Sequence, residues 1–285
     1  MTEKVKKFVT SQNSLLLFII IIVGVVATFM SNKFMSYSNI MQIFQQISVL
    51  GIVSMGMALV IISKGIDLSV SGIISLSAFV MCITVKGGTT PLQAALIAMG
   101  IGATCGLING LIISFTNTAP LIITLGTQYI FFGFSLAISK GAFLSMQGIL
   151  SSFANSKFIG IPMLVYVLIL VLAITYFVLY WTRFGRRIVA VGGNEENAYL
   201  SGINVKLIKV AVYVISGLLA GFAAFCLVSR TDAVNTSVGS GYELRAIAAC
   251  IMGGISFEGG IGSVTGAFLG VVLMGVIQNA MNIIG

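Results

Sequence analysis

The segment TRFGRRIVAVGGNEENAYLSGINVKLIK, residues 182–209, decides how the rest of the chain is read. It carries Arg183, Arg186, Arg187, Lys206 and Lys209 against only Glu195 and Glu196, so five of the chain's 15 basic residues fall in 28 positions. Long apolar runs flank it on both sides. Loops on the cytoplasmic side of a membrane carry the excess of Lys and Arg. The segment is therefore expected to face the cytoplasm and to meet a partner there. Within it, GGNEENAYLSGI (192–203) reads as a short helix. Asn194 is placed to cap it, Glu195 and Glu196 occupy its first turn, and Gly202 stops it. The candidate docking element runs from Gly192 and Gly193 through Asn197, Ala198, Tyr199, Leu200 and Ser201 to Gly202. A surface helix with no partner is the plain alternative.

Working outward, 58% of the 285 residues are hydrophobic and 8% are charged, with a mean hydropathy of +1.11. Soluble chains carry roughly 25% charged residues, so the fold class is an all-α, polytopic membrane helical bundle, with backbone groups paired internally because lipid offers no hydrogen bonds. A net charge of +8 in a soluble protein would suggest nucleic acid. Here basic loops fix orientation and touch anionic lipid headgroups, and no nucleic acid is expected. No histidine is present, which removes His-based metal sites and the commonest general base. Cys82, Cys105, Cys226 and Cys250 lie inside apolar runs, form no CxxC pair and read as small packing residues. No GxxxxGK[ST] loop occurs, so the chain is not expected to bind ATP itself. No cofactor, metal or paired catalytic set is indicated, and the chain is not expected to be an enzyme.

Apolar runs of ~20 residues mark membrane spans. They fall at about 14–31, 43–63, 72–86, 92–115, 120–139, 161–181 and 208–229, followed by a short run at 244–256 and a last one at 264–284. That makes about nine spans or half-spans. Lys4, Lys6 and Lys7 precede the first run, and Ser31, Asn32 and Lys33 follow it without a cleavage site, so a retained span with an interior N-terminus is expected. Six spans from that start return the chain to the interior at 182, as the basic segment independently requires. Residues 32–42, 140–160 and 230–242 are then exterior loops. Residues 87–139, 158–182 and 259–285 contain no charged residue, so a single membrane-spanning domain, residues 1–285, fills the chain and no soluble domain is expected.

SKGIDLSVSGIISLSA (63–78) resembles MGGISFEGGIGSVTGA (252–267), and two glycine ladders share i, i+4, i+8 spacing: Gly102, Gly106, Gly110 and Gly262, Gly266, Gly270. Such ladders flatten one helix face and let backbones approach. Two weakly similar halves, about 1–181 and 208–285 joined by 182–207, are expected, with broken helices near a pathway. The first half has a span after its ladder where the second half stops, so a final span reads as missing. The candidates at these breaks are Asp67, Ser69 and Asn109 in the first half, and Glu243, Arg245 and Glu258 in the second. A carboxylate in a bilayer is costly and tends to mark function. Equally, Asp67 and Ser69 suit a helix start, and Glu243 suits a first turn. Arg230 and Asp232 read as an exterior anchor.

GIDLSV (65–70), GLINGLI (106–112), APLIITLGT (119–127), FGRRIVAVGGNEENAYLSGI (184–203) and YELRAIAACIMGGIS (242–256) with GGIGS (259–263) together resemble the permease subunits of ribose-type sugar ABC importers in bacteria. The resemblance covers about residues 15–285. It implies a multi-pass permease of the bacterial inner membrane, paired with a second permease copy. A separate cytoplasmic ATP-binding subunit would dock on 192–202, and an exterior sugar-binding protein would dock on loops including 140–160 and 230–242. Lys64 and Ser71 stand where the family usually has glycine, Arg245 where an acid is common, and Glu258 is unusual before the Gly pair. The alternatives are an ion-coupled secondary transporter using Asp67, and a non-transporting truncated permease or scaffold.

Overall fold

The computed structural model describes residues 12–116 and 118–284. The Lys4, Lys6 and Lys7 flank lies outside the described residues. The chain opens with α1 (Gln12–Met30) and α2 (Tyr37–Ile62), which Ser36 caps by accepting from the Asn39 N–H. A break leads to α3 (Val70–Lys86). Thr90 and Gln93 then form a reciprocal capping box ahead of α4 (Pro91–Phe115), and Pro120 opens α5 (Pro120–Ser139). Both prolines sit in the first turn, where a missing N–H costs nothing.

The segment that follows is irregular: β1 (Leu144–Ser145), α6 (Ser151–Asn155), β2 (Lys157–Phe158) and β3 (Ile161–Pro162). Then come α7 (Met163–Trp181), α8 (Arg183–Gly193), α9 (Glu195–Leu200) and α10 (Val205–Thr231). β4 (Ala233–Val234), α11 (Tyr242–Met252) and α12 (Val264–Ile284) complete the described chain.

Seven described helices are long and apolar enough to cross a membrane: α1, α2, α4, α5, α7, α10 and α12. The shorter α3 has 17 residues and α11 has 11. The architecture is thus an all-α, multi-pass bundle. Its apolar side chains face outward as well as inward. Phe18 and Phe29 on α1, Ile122 and Tyr129 on α5, and Leu170 and Phe177 on α7 are all exposed, as lipid contact requires. By contrast, α2 is buried on all sides from Ile47 to Ile62.

The centre is an antiparallel seam between α4 and α10. A Cβ on Gly102 would run into the Gly217 carbonyl oxygen, and one on Gly217 into that of Gly102. One turn either way, Gly106 lies on the Tyr213 backbone and Gly221 on that of Ala98. The second ladder serves a different contact. Gly266 lies on Gly253 and Gly270 on Ala249, so it closes α12 onto α11. Equal glycine spacing flattens a face but does not choose its partner.

The ends of the bundle differ. At one end the α8–α9 segment meets the breaks at 63–69 and 253–263: Gly260 N–H donates to the Ile62 carbonyl at 2.8 Å, and Gly192 sits against both. At the other end Tyr37 Oη donates to the Gly160 carbonyl at 2.6 Å, and β1 pairs antiparallel with β4. The basic segment and the loops near 140–160 and 230–242 therefore lie at opposite ends.

Two expected boundaries are corrected. The loop placed at 32–42 ends at Ser36, because Asn39, which reads as loop, is buried in α2 and paired with Asn279. The chain after Thr182 is already helical: Thr182 Oγ1 accepts from the Gly185 N–H, and Ile188 and Val191 are buried. Gly192 and Gly193 thus close α8 and do not open the docking helix.

Candidate functional site

At the basic end, Asn194 Oδ1 accepts from the Asn197 N–H at 2.8 Å, the expected cap of α9. Ile203 N–H returns to the Ala198 carbonyl at 3.0 Å, with Gly202 at φ +80, a conformation glycine adopts without a Cβ clash. Ala198 is buried and pins the helix from below. Tyr199 and Leu200 are 71% and 75% exposed. The Glu195–Lys209 ion pair at 2.7 Å is partly solvated, so it contributes only ~0.2–1 kcal/mol. A groove of about 900 Å³ opens beside the helix, between the end of α4 at Ile113–Ser114, α9 and the start of α10. Lys206 lies over the Phe115 ring, 4.7 Å from its centre.

Gly192 is where this segment touches the rest. A Cβ there would strike the Ile62 carbonyl oxygen and crowd the Gly260 nitrogen to 2.6 Å. One backbone thus abuts both breaks.

Inside the bundle, Asp67 is fully buried. Its Oδ1 accepts from the Ser69 N–H (3.1 Å) and hydroxyl (2.5 Å), and its Oδ2 from Ser216 Oγ (2.8 Å). Asn109 Nδ2 donates to Ser69 Oγ at 2.7 Å. The Ile66 carbonyl accepts from Tyr213 Oη and Thr124 Oγ1, each at 3.2 Å. Asp67, Ser69 and Asn109 are thus brought together in one network spanning the first break, α4 and α10.

Glu243 lies elsewhere. It is buried, and its Oε1 accepts from Gln128 Nε2 at 3.3 Å, while Gln128 also donates to Ser71 Oγ at 2.9 Å. Its Oε2 has no partner among the described residues. Arg245 stands apart, with Nε on the Gly241 carbonyl, Nη1 on Gln278 Oε1, and its guanidinium 4.3 Å from the Tyr242 ring centre. Glu258 is exposed beside Lys64 and Gly193. Asp232 Oδ2 accepts from the Gly148 N–H at 2.8 Å and ties two loops together.

Sequence reasoning missed Ser216, Tyr213, Thr124 and Gln128. Gln128 carried a readable signal, a carboxamide inside an apolar span. The serine and threonine did not, since such residues are common in spans and bond their own helix backbone.

The family model described as branched-chain amino acid transport system / permease component matches residues 39–285. The chain is 36% identical to the ribose import permease protein of Bacillus subtilis (strain 168), over 94% of this chain and 84% of that one. It is 39% identical to the D-allose transport system permease protein of Escherichia coli (strain K12), over 93% and 82%. It is 33% identical to the galactose/methyl galactoside import permease protein of Haemophilus influenzae, over 99% and 90%. No solved structure matches.

Proposed function

Because this chain belongs to the branched-chain amino acid transport system / permease component family, we propose that it is the permease subunit of a sugar ABC importer, carrying a monosaccharide across the bacterial inner membrane. Its similarity to import permeases named for ribose, D-allose and galactose supports a small polyhydroxylated solute.

On this reading the basic end is cytoplasmic. A separate ATP-binding subunit grips α9 through Tyr199 and Leu200, and an exterior sugar-binding protein meets the loops at 140–160 and 230–242. A second permease copy completes the pathway. The single domain counts nine spans or half-spans, with α3 and α11 as the partial ones and halves about 1–181 and 208–285. Candidates for the pathway and its broken helices are Asp67, Ser69, Asn109, Glu243, Arg245 and Glu258.

The observation that carries the mechanism is the placement of Gly192 against both breaks. A push on α9 reaches α8 directly, and α8 cannot move without displacing the Ile62 and Gly260 backbones. Domain closure in the ATPase is thereby converted into a change at the helix breaks, the bistable step that alternating access needs.

The test is reconstitution with the ATPase and binding protein in vesicles. Leu200→Asp places a charge in the gripped patch, where docking would bury it, and losing a central contact of an interface costs ~2 kcal/mol or more. Uptake is expected to fall at least tenfold, by about that free energy. Undiminished ATP-driven uptake would count against α9 as the coupling element.

A further inference from the structure

At the end opposite α9, a cavity of about 390 Å³ lies where the ends of α2, α10 and α12 meet. Small-ligand pockets run ~300–1,000 Å³. Its lining is unusual for a chain this apolar. Gln42, Gln45 and Gln46 come from one face of α2, Asn279 and Asn282 from one face of α12, and Arg230 from the end of α10. The spacings i, i+3 and i+4 turn these groups to the same side.

The cavity is braced. Asn39 and Asn279 donate to each other through a reciprocal carboxamide pair at 2.9 Å each way, and Asn39 also donates to the Phe34 carbonyl at 2.8 Å. Several groups remain unused. Among the described residues, Gln42, Gln46 and Asn282 have no hydrogen-bond partner for their side chains, and the Arg230 Nε is buried without one. A buried N–H left unpaired costs ~1–3 kcal/mol, so a polar occupant is favoured.

The chemistry selects the occupant. A carboxamide offers a donor and an acceptor, as does each hydroxyl of a polyol. Among the described residues no carboxylate lines the cavity, which disfavours a metal cation, and six carboxamides to one guanidinium suit a neutral hydroxylated ligand better than an anion.

We propose that this cavity is a low-affinity binding site for a neutral monosaccharide, the station it occupies on the exterior side before reaching the helix breaks. This rests on the reading of the chain as a sugar import permease, and it assigns the first contact to residues other than Asp67 and Glu243.

The test uses the permease assembled with its ATPase and binding protein in vesicles. In the first arm, Gln46→Leu combined with Asn282→Leu removes two unused hydrogen-bonding groups. Uptake is expected to fall roughly tenfold, while ATP hydrolysis stimulated by the loaded binding protein stays within about twofold. Unchanged uptake, or hydrolysis falling along with uptake, overturns the proposal.

In the second arm, Gln46→Cys is labelled from the exterior with an impermeant thiol reagent. The four native cysteines are buried, which keeps the background low. Ribose, allose, galactose and fructose are each tried at about 100 mM, and one of them should slow labelling roughly tenfold for a site of ~10 mM affinity. Protection by none of them, by sucrose equally well, or more strongly by a sugar acid of the same size overturns the proposal. Uptake by the unaltered complex is measured in parallel. If it is absent for every sugar, the import reading fails, whereas the labelling arm still reads the cavity by itself.

Discussion

In the break between α2 and α3, Asp67 and Ser69 are fully buried, and both carboxylate oxygens of Asp67 are hydrogen-bonded. In the break between α11 and α12, Phe257, Glu258 and Ile261 are exposed, and the turn is held by backbone: Ser256 N–H to the Ile261 carbonyl at 3.0 Å, and Gly260 N–H across to Ile62 at 2.8 Å. The two segments share letters but not mechanics. One is an anchor fixed by a side-chain network that reaches α4 and α10. The other is a flap at the basic face that leans on the anchor, with α8 wedged against both. A helix break is made rigid by where its acid points, and Asp67 points inward while Glu258 does not.

The sharpest way to break this contrast is Asp67→Leu. It strands the Ser216 hydroxyl and the Ser69 N–H in a buried place, and each unmade bond costs ~1–3 kcal/mol. We expect a loss of about 3 kcal/mol, read as an earlier transition on titrating the micelle-solubilised chain with SDS. A wild-type midpoint would remove the anchor role.

Next in size is Gly192→Val. Overpacking costs ~1–3 kcal/mol, and here it falls on the contact between α8 and the two breaks. Uptake by the assembled complex should drop roughly tenfold while the chain still reaches the membrane. Unaltered uptake would mean that the flap and anchor are not linked through α8.

The smallest effect belongs to Glu258→Gln. An exposed side chain with no hydrogen-bond partner among the described residues should shift stability by no more than about 0.5 kcal/mol. A shift as large as that of Asp67→Leu would erase the difference between the breaks.

Much of the bundle was legible because length and hydropathy suffice to mark a span. The limits of α5 and α12 were read directly, and Asn194 and Gly202 were placed at the ends of α9. The start of α2 was not, because Asn39 and Gln42 look like loop residues until the amides of α12 are seen opposite them. Residues 183–193 read as loop because their charge dominates, although Ile188 and Val191 form a buried face at helical spacing. At the breaks, Asp67, Ser69 and Asn109 stand out in the sequence with no sign that they touch. Contact between residues 40 positions apart depends on how α3 crosses α4, and one sequence holds no record of that crossing. Ser216 escapes for the same reason, whereas Gln128 was within reach as a carboxamide inside an apolar span.

The central claim is that α9 stands on the cytoplasmic face, within reach of an ATP-binding partner. It is tested most directly by Leu200→Cys in sealed vesicles of known orientation, since the native cysteines are buried and leave little background. An impermeant thiol reagent should modify the introduced thiol from the cytoplasmic side only, and the assembled ATPase should shield it. Modification from the exterior, or no change on adding the ATPase, would contradict the account.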